Sequence, residues 1–343
     1  MAPPLTRRHF TTGLGMALAG APLAACGAAT AADDAERTLR LGMVAAEGSV
    51  QHRSAQLFAQ EVIRATEGRL YVDVFPSGQL GSDETLGQSL AMGGLDLAFI
   101  NQGSMAGLDP MLDFHYLPYI VTDYDEADRI FFGDGLIPRL MTETLASHDI
   151  RALGWYELEF RGVSTRDGLA RSPEQLAGKK IRVPGSAAIG AFFEAAGAVA
   201  VTVSMPELYS ALQQGTVDGQ DNGMIITYDN RLHETNPFYT RTKHVYATGT
   251  IGMSEKVWPS LSSSDQDALL AAARTAQDWE VRAERELTEE YVANLRDDGA
   301  EVVELTDAEL SEYRELGLAI WDDMTSIYGE GNIAALRDEV AAL

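Results

Sequence analysis

Gly178-Lys179-Lys180-Ile181-Arg182-Val183-Pro184-Gly185-Ser186 is the stretch on which the fold turns. A short β-branched run, entered from Gly-Lys and closed by Pro-Gly-Ser, reads as a strand that stops where a helix begins. Ile181 and Val183 share one face of that strand and Arg182 points to the other. Downstream, Ala187 to Ala196 has helical spacing and is closed by Gly197, and Val199 to Val203 reads as the next strand. Ser204-Met205-Pro206-Glu207 has the form of a capping box, with serine oxygen and glutamate each satisfying an orphan amide. The helix it opens ends at Gly215, and Thr216-Val217-Asp218 is expected to start another strand. Strands alternating with helices predict an α/β fold with parallel pairing.

The chain upstream follows the same script. Arg37 to Ala45 reads as a strand, followed by a helix with Ala55, Phe58, Ala59, Val62 and Ile63 at core spacing. Leu70 to Phe75 alternates as a strand and ends in the turn Pro76-Ser77-Gly78. A second helix opens near Ser82 and stops at Gly93-Gly94, and Leu95 to Ile100 then delivers Asn101 at a strand end. The halves share a phrase, Leu90-x-x-Gly93-x-Leu95-Asp96 against Leu212-x-x-Gly215-x-Val217-Asp218. It reads as two similar lobes; the alternative is a common turn recurring by chance. From Ser263 to Arg296 the chain is polar and free of Gly and Pro, with Ser263-x-x-Gln266 placed to cap its start and Gly299 its end. Such a helix, roughly 50 Å long, is long enough to span both lobes; a break near its middle is the other reading.

The first residues carry an address. Arg7-Arg8-His9-Phe10 precedes an apolar run from Gly13 to Leu23 that is too short for a membrane anchor, which takes about 20 apolar residues. Together they read as a twin-arginine export signal over residues 1–25. Leu23-Ala24-Ala25-Cys26 resembles a lipobox, which predicts lipidation of Cys26, the chain's single cysteine, and membrane contact through that lipid. Cleavage after Ala29-Thr30-Ala31 is the open alternative. The remainder is long enough for about two domains.

Charge narrows the partners. Fifty-one acidic residues against 26 Lys and Arg give a formal net charge of −25, which argues against a nucleic-acid partner. An anionic ligand has to find local positive charge against that background, so each inward arginine is informative. Enzyme signatures are missing. The six histidines are scattered with no pair at metal-ligand spacing, and there is no G-x-S-x-G elbow or phosphate-cradling loop. The expectation is a binding protein rather than an enzyme, with no cofactor and no metal. Arg182 lies where open α/β sheets bind ligands, beyond the carboxyl end of a strand, and a guanidinium grips a carboxylate with two parallel donors. A structural arginine paired with an Asp or Glu is the other reading, and the residues alone leave both open.

Gly178 to Pro184, Gly197-Ala198, and the run from Glu207-Leu208-Tyr209 to Val217-Asp218-Gly219-Gln220-Asp221-Asn222 resemble the solute-binding proteins of TRAP transporters. Phe75-Pro76-Ser77-Gly78-Gln79-Leu80-Gly81 and Leu117-Pro118-Tyr119 extend the resemblance over essentially the whole mature chain. It implies a two-lobed periplasmic-binding-protein architecture with hinge strands and a long helix spanning both lobes. The lobes would be residues 37–158 plus 248–287 and residues 159–247 plus 288–343. It implies a small organic acid as ligand, small and large membrane permease subunits as partners, and a periplasmic location, here tethered through Cys26. By the resemblance Arg182 binds the substrate carboxylate, Arg161 is a second arginine of the site, Asn222 follows, and Met205 is a pocket wall. Val44, Asp83 and Asn101 match first-lobe positions that touch ligand in some members. Glu159 stands where the family usually has glycine. Trp155 and Tyr156 read either as cleft wall or as strand-end packing, and His52 either as a polar-face residue or as a ligand contact. The rival functions are a secreted enzyme acting on an organic or sugar acid, and a binding protein serving a sensor or an ATP-driven importer.

Overall fold

A computed structural model describes residues 35–343; the export segment and Cys26 lie outside the described residues. The first lobe opens with β1 (Arg37–Met43), α1 (Val50–Ala65), β2 (Leu70–Phe75), α2 (Asp83–Met92) and β3 (Leu97–Ile100). β1 pairs in parallel with both β2 and β3. The helices start where serines satisfy their free amides: Ser49 accepts from His52 N and Ser82 from Thr85 N. Gly93 ends α2 in the left-handed conformation, φ 77°, which glycine adopts without steric cost. After α3 (Tyr124–Phe131) and α4 (Leu136–Ser147), β4 (Ile150–Phe160) leads out of the lobe, and β10 (Tyr246–Ser254) later returns to it. The sheet order is β2-β1-β3-β10-β4.

The second lobe holds β5 (Gly162–Thr165), β6 (Lys180–Val183), α5 (Ala187–Ala195), β7 (Val199–Thr202), α6 (Met205–Gln213) and β8 (Gly219–Asn222). Then follow α7 (Met224–Asp229), β9 (Phe238–Arg241) and, further on, β11 (Glu301–Glu304). Its sheet order is β11-β9-β5-β8-β6-β7. The run β7-β6-β8 repeats β2-β1-β3: a central first strand flanked in parallel by the second and third. In each sheet the next neighbour of the third strand is antiparallel, β10 in one and β5 in the other. The shared phrase has one structural job in both lobes. Asp96 accepts the Arg40 amide at 2.9 Å and Asp218 the Lys180 amide at 2.8 Å, tying third strand to first.

Three local expectations need correcting. The Ser204 hydroxyl donates to the Glu207 carboxylate at 2.7 Å, so the pair satisfies itself rather than forming a capping box with backbone amides. Thr216 to Asp218 form the approach to β8 rather than its start, because the Thr216 amide is held by Ala211 O at the end of α6 and the Asp218 carboxylate is turned to β6. The long helix, α8 (Ser263–Asp297), is capped by Ser262, one residue earlier than expected, and is unbroken over 35 residues. That is about 52 Å at 1.5 Å per residue. It packs on α1 and β4 in the first lobe and on α7 and β11 in the second. Among the described residues no helix is long and apolar enough to cross a membrane.

The chain passes between lobes at Arg161, between β4 and β5, and again at 242–245, between β9 and β10. The two crossings are bonded to each other, Arg161 N donating to Val245 O at 2.8 Å. The last helices, α9 (Asp307–Asp323), α10 (Thr325–Tyr328) and α11 (Glu330–Ala341), touch both lobes. Tyr313 donates to Ala170 O, Trp321 to Pro118 O and Tyr328 to the Asp113 carboxylate. Asp113 also accepts from Ser186 and the Ala187 amide at the start of α5, a first-lobe acid capping a second-lobe helix.

Candidate functional site

All seven ligand positions expected from sequence, Arg182, Arg161, Asn222, Met205, Asn101, Asp83 and Val44, line one cavity between the lobes. It encloses about 650 Å³ of empty space, mouth included. Strand ends explain the convergence: Arg182 leaves β6 just before Pro184, Asn222 closes β8, and Asn101 follows β3. Asp83 sits at the first turn of α2 and accepts the Asn101 amide at 2.9 Å.

The two arginines are both buried but differently served. Arg161 donates through Nε to the Asp221 carboxylate at 2.7 Å, and through Nη2 to Asp221 O at 2.7 Å and Asn222 Oδ1 at 3.2 Å. Its guanidinium also lies 5.7 Å from the Tyr116 ring centre. Burial opposes its charge, but Asp221, Tyr116 and Tyr239 together outweigh burial and hold its pKa above the ordinary arginine value. Arg182 donates through Nε to Val203 O at 2.8 Å, and among the described residues it makes no ion pair and no other hydrogen bond. Burial pushes it down to about 10, countered in part by Asp221 and Asp83. A carboxylate arriving at its terminal nitrogens would supply the missing partner.

The acids answer to the same forces. Burial raises Asp83 to about 7 despite the Asn101 amide. Asp221 is buried too, yet Arg161 and His244 keep it below the usual carboxylate range. Glu159, with φ 62°, aims its carboxylate at the Met224 and Ile225 amides, at 3.1 and 2.8 Å. It therefore closes the start of α7 and leaves Arg161 to Asp221. Behind the cavity Glu157, Glu280 and Glu284 are also fully buried. Gln51, on the cavity wall, donates to Glu284, and Glu157 accepts from Arg285 and Tyr246 at 2.7 Å each.

Tyr156 lines the cavity, and Trp155, one residue earlier and on the opposite face of β4, packs against core instead. His52 is off the cavity, its Nδ1 accepting from Gly48 N at 2.8 Å. Sequence reasoning passed over Phe99, Leu158 and Ile226 as wall residues and Tyr116 as a support, its hydroxyl donating to Asn101 Oδ1. The alternation of β3 was a signal for Phe99; Tyr116, in an irregular segment, had none.

With this geometry in hand, the chain can be compared with known proteins. Residues 41–326 match the family described as bacterial extracellular solute-binding protein, family 7. A sialic acid-binding periplasmic protein of Vibrio cholerae is 29% identical over 312 residues, covering 90% of this chain and 94% of that one. The solved structure of a sugar acid-binding protein from Advenella mimigardefordensis, in complex with galactonate, has a TM-score of 0.85 at 26% identity, covering 89% and 98% of the two chains. A TRAP periplasmic solute-binding protein from Sulfurospirillum deleyianum with bound succinate has a TM-score of 0.83 at 26% identity, covering 88% and 99%. Two lobes on one repeated strand order, a helix spanning both and a match across most of the sequence agree: the chain belongs to the family 7 bacterial extracellular solute-binding proteins, the binding proteins of TRAP transporters.

Proposed function

We propose that the interlobe cavity holds a small organic acid with its carboxylate on Arg182, and that the protein hands this acid to the small and large permease subunits of a TRAP transporter. The observation that carries the reading is Arg182 itself, a buried guanidinium whose terminal nitrogens have no protein partner among the described residues. Arg161 and Asn222 form the supporting floor, with Asn101, Asp83, Val44 and Met205 around the ligand. Relatives named for sialic acid, and structures holding galactonate or succinate, have a carboxylate ligand in common. The protein acts as a carrier with no chemistry of its own. It works in the periplasm, tethered by a lipid on Cys26, and residues 37–158 plus 248–287 close against 159–247 plus 288–343, with α9 to α11 bracing the back.

A thermal-shift panel of organic acids tests this directly. A true ligand at a hundredfold excess over Kd stabilises the protein by about 2.7 kcal/mol. Arg182→Met should lose that shift, with affinity down about thirtyfold or more (about 2–5 kcal/mol for truncating one partner of a buried charge pair), while its ligand-free melting temperature stays level or rises. Parent-like affinity in the variant would overturn the assignment.

A further inference from the structure

At the rim of the cavity the lobes approach each other through glycine. Gly185 lies between β6 and α5 of the second lobe, next to Pro184, and faces Ser104 in the turn after β3 of the first. Pro184 and Ser104 both line the cavity, whereas Gly185 does not. A Cβ on Gly185 would lie 2.9 Å from Ser104 O, 3.4 Å from the Glu84 carboxylate and 3.7 Å from the Ser104 carbonyl carbon. These are its three nearest atoms beyond the adjoining residues, and all three belong to the first lobe. The bonds from Ser186 and the Ala187 amide to Asp113, 2.9 and 2.6 Å, cross the same seam.

The seam has little room to give. Ser104 O is backbone, so no side-chain rotation moves it aside, and a close-packed contact transmits strain rather than absorbing it. Nor does the Gly185 backbone itself call for glycine, because its φ lies outside the left-handed region. Gly78 makes the contrast. It too meets the other lobe, with a Cβ placed 3.1 Å from Pro206 Cγ, but its φ of 67° already favours glycine for local reasons. At Gly185 the side chain is excluded by the facing lobe.

We propose that Gly185 is a positioning residue for ligand retention: bare of a side chain, it lets the lobes shut fully over the cavity, and a side chain there wedges them apart while the lining residues stay unchanged. This rests on the reading of the cleft as a site that closes on an organic acid. Contacts present in the shut form alone are what closure adds, so a wedge at the seam acts on how long the ligand stays rather than on how fast it arrives.

Calorimetry and stopped-flow fluorescence on the full mature protein test this, with succinate, galactonate and sialic acid as probes. For each acid that the parent binds, Gly185→Ala should weaken affinity about tenfold and Gly185→Val further, the usual scale for overfilling a packed contact. The loss should appear as faster dissociation, with association little changed, and the ligand-free melting temperature should stay at the parent's. Gly190→Ala is the control within the same lobe. A Cβ there meets nothing nearer than Ala200 Cβ at 3.9 Å, and neither affinity nor melting temperature should fall. Parent-like affinity in Gly185→Val, with binding lost in Arg182→Met, overturns this inference and leaves the organic-acid site standing. A lowered ligand-free melting temperature in Gly185→Ala makes it a packing glycine of the fold and also overturns the inference. If none of the three acids binds the parent, the reading of the cleft falls and this inference with it.

Discussion

Counted from the aspartates that tie third strand to first, the two lobes can be compared position by position. Where β8 carries Asp221 and Asn222, β3 carries Phe99 and Ile100. Where β6 carries Arg182, β1 carries Gly42. The frame is shared, yet the ionic equipment of the cleft is concentrated in the second lobe and its first-lobe counterparts are apolar. Gly42 shows how far this goes: a Cβ there would lie 2.6 Å from Leu86 Cδ2, so the space that Arg182 uses in one lobe is filled by core in the other. At these matched positions the duplicate scaffolds thus differ, one lobe bearing charge and the other apolar side chains or glycine.

The most severe test of that division replaces matched residues. Asp221→Asn strands Arg161 in the interior and should cost about 3–5 kcal/mol in urea unfolding. The matched change Phe99→Leu, apolar for apolar, should cost only about 1–2 kcal/mol. Equal losses would break the comparison.

Next in size is a pH effect of the buried glutamates where α8 packs on β4. Burial raises Glu157 to about 7 and Glu159 to about 8, and lifts Glu280 and Glu284 well above the ordinary glutamate value. Between that ordinary value of 4.5 and about 8 the folded protein therefore binds more protons than the unfolded chain. The stability these groups contribute is complete at the acid end of the window and is lost as pH rises through it, by up to about 1.4 kcal/mol per pH unit for each group titrating. Urea midpoints at pH 5, 6.5 and 8 should fall in that order, and Glu284→Gln should make the decline shallower. A parent slope that rises with pH would contradict the assignment.

The smallest effect sharpens the repeat itself. Asp96→Asn and Asp218→Asn each weaken one bond to a first-strand amide and should each cost about 1 kcal/mol. Unequal costs would mean that the shared phrase does different work in the two lobes.

Much of this was legible in the residues. Arg182 could be placed because strand alternation fixes its face and Pro184 fixes the strand end, two local facts. The repeat was legible because glycine at a helix end is forced by local geometry and the phrase around it recurs, although the bond its aspartate makes to the first strand is long-range. What escaped depends on distant partners. Asp221 stood inside a recognised motif, but its bond to Arg161 forms only because β5 and β8 pair antiparallel. Glu280 and Glu284 sit four residues apart on a polar helix and look like a solvated face; they are buried because that helix is clamped between two lobes, which no spacing in α8 reveals. Ser204 misled because a hydroxyl beside a carboxylate has two acceptable partners, and the sequence does not choose between them.

Arg161 has a double address: it lines the cavity, and it is the residue at which the chain first crosses between lobes, bonded there to the returning strand at Val245. In any rotation about those crossings, displacement grows with distance from the axis, so Arg161 and the Asp221 it holds would move least. An open form would then keep its anion cradle nearly assembled while the Phe99 and Leu158 wall swings through a longer arc. Arrival and retention would then be separate events in space. The carboxylate would be met first, by a part of the protein that hardly moves, and the rest of the ligand afterwards by a wall that has to travel to reach it.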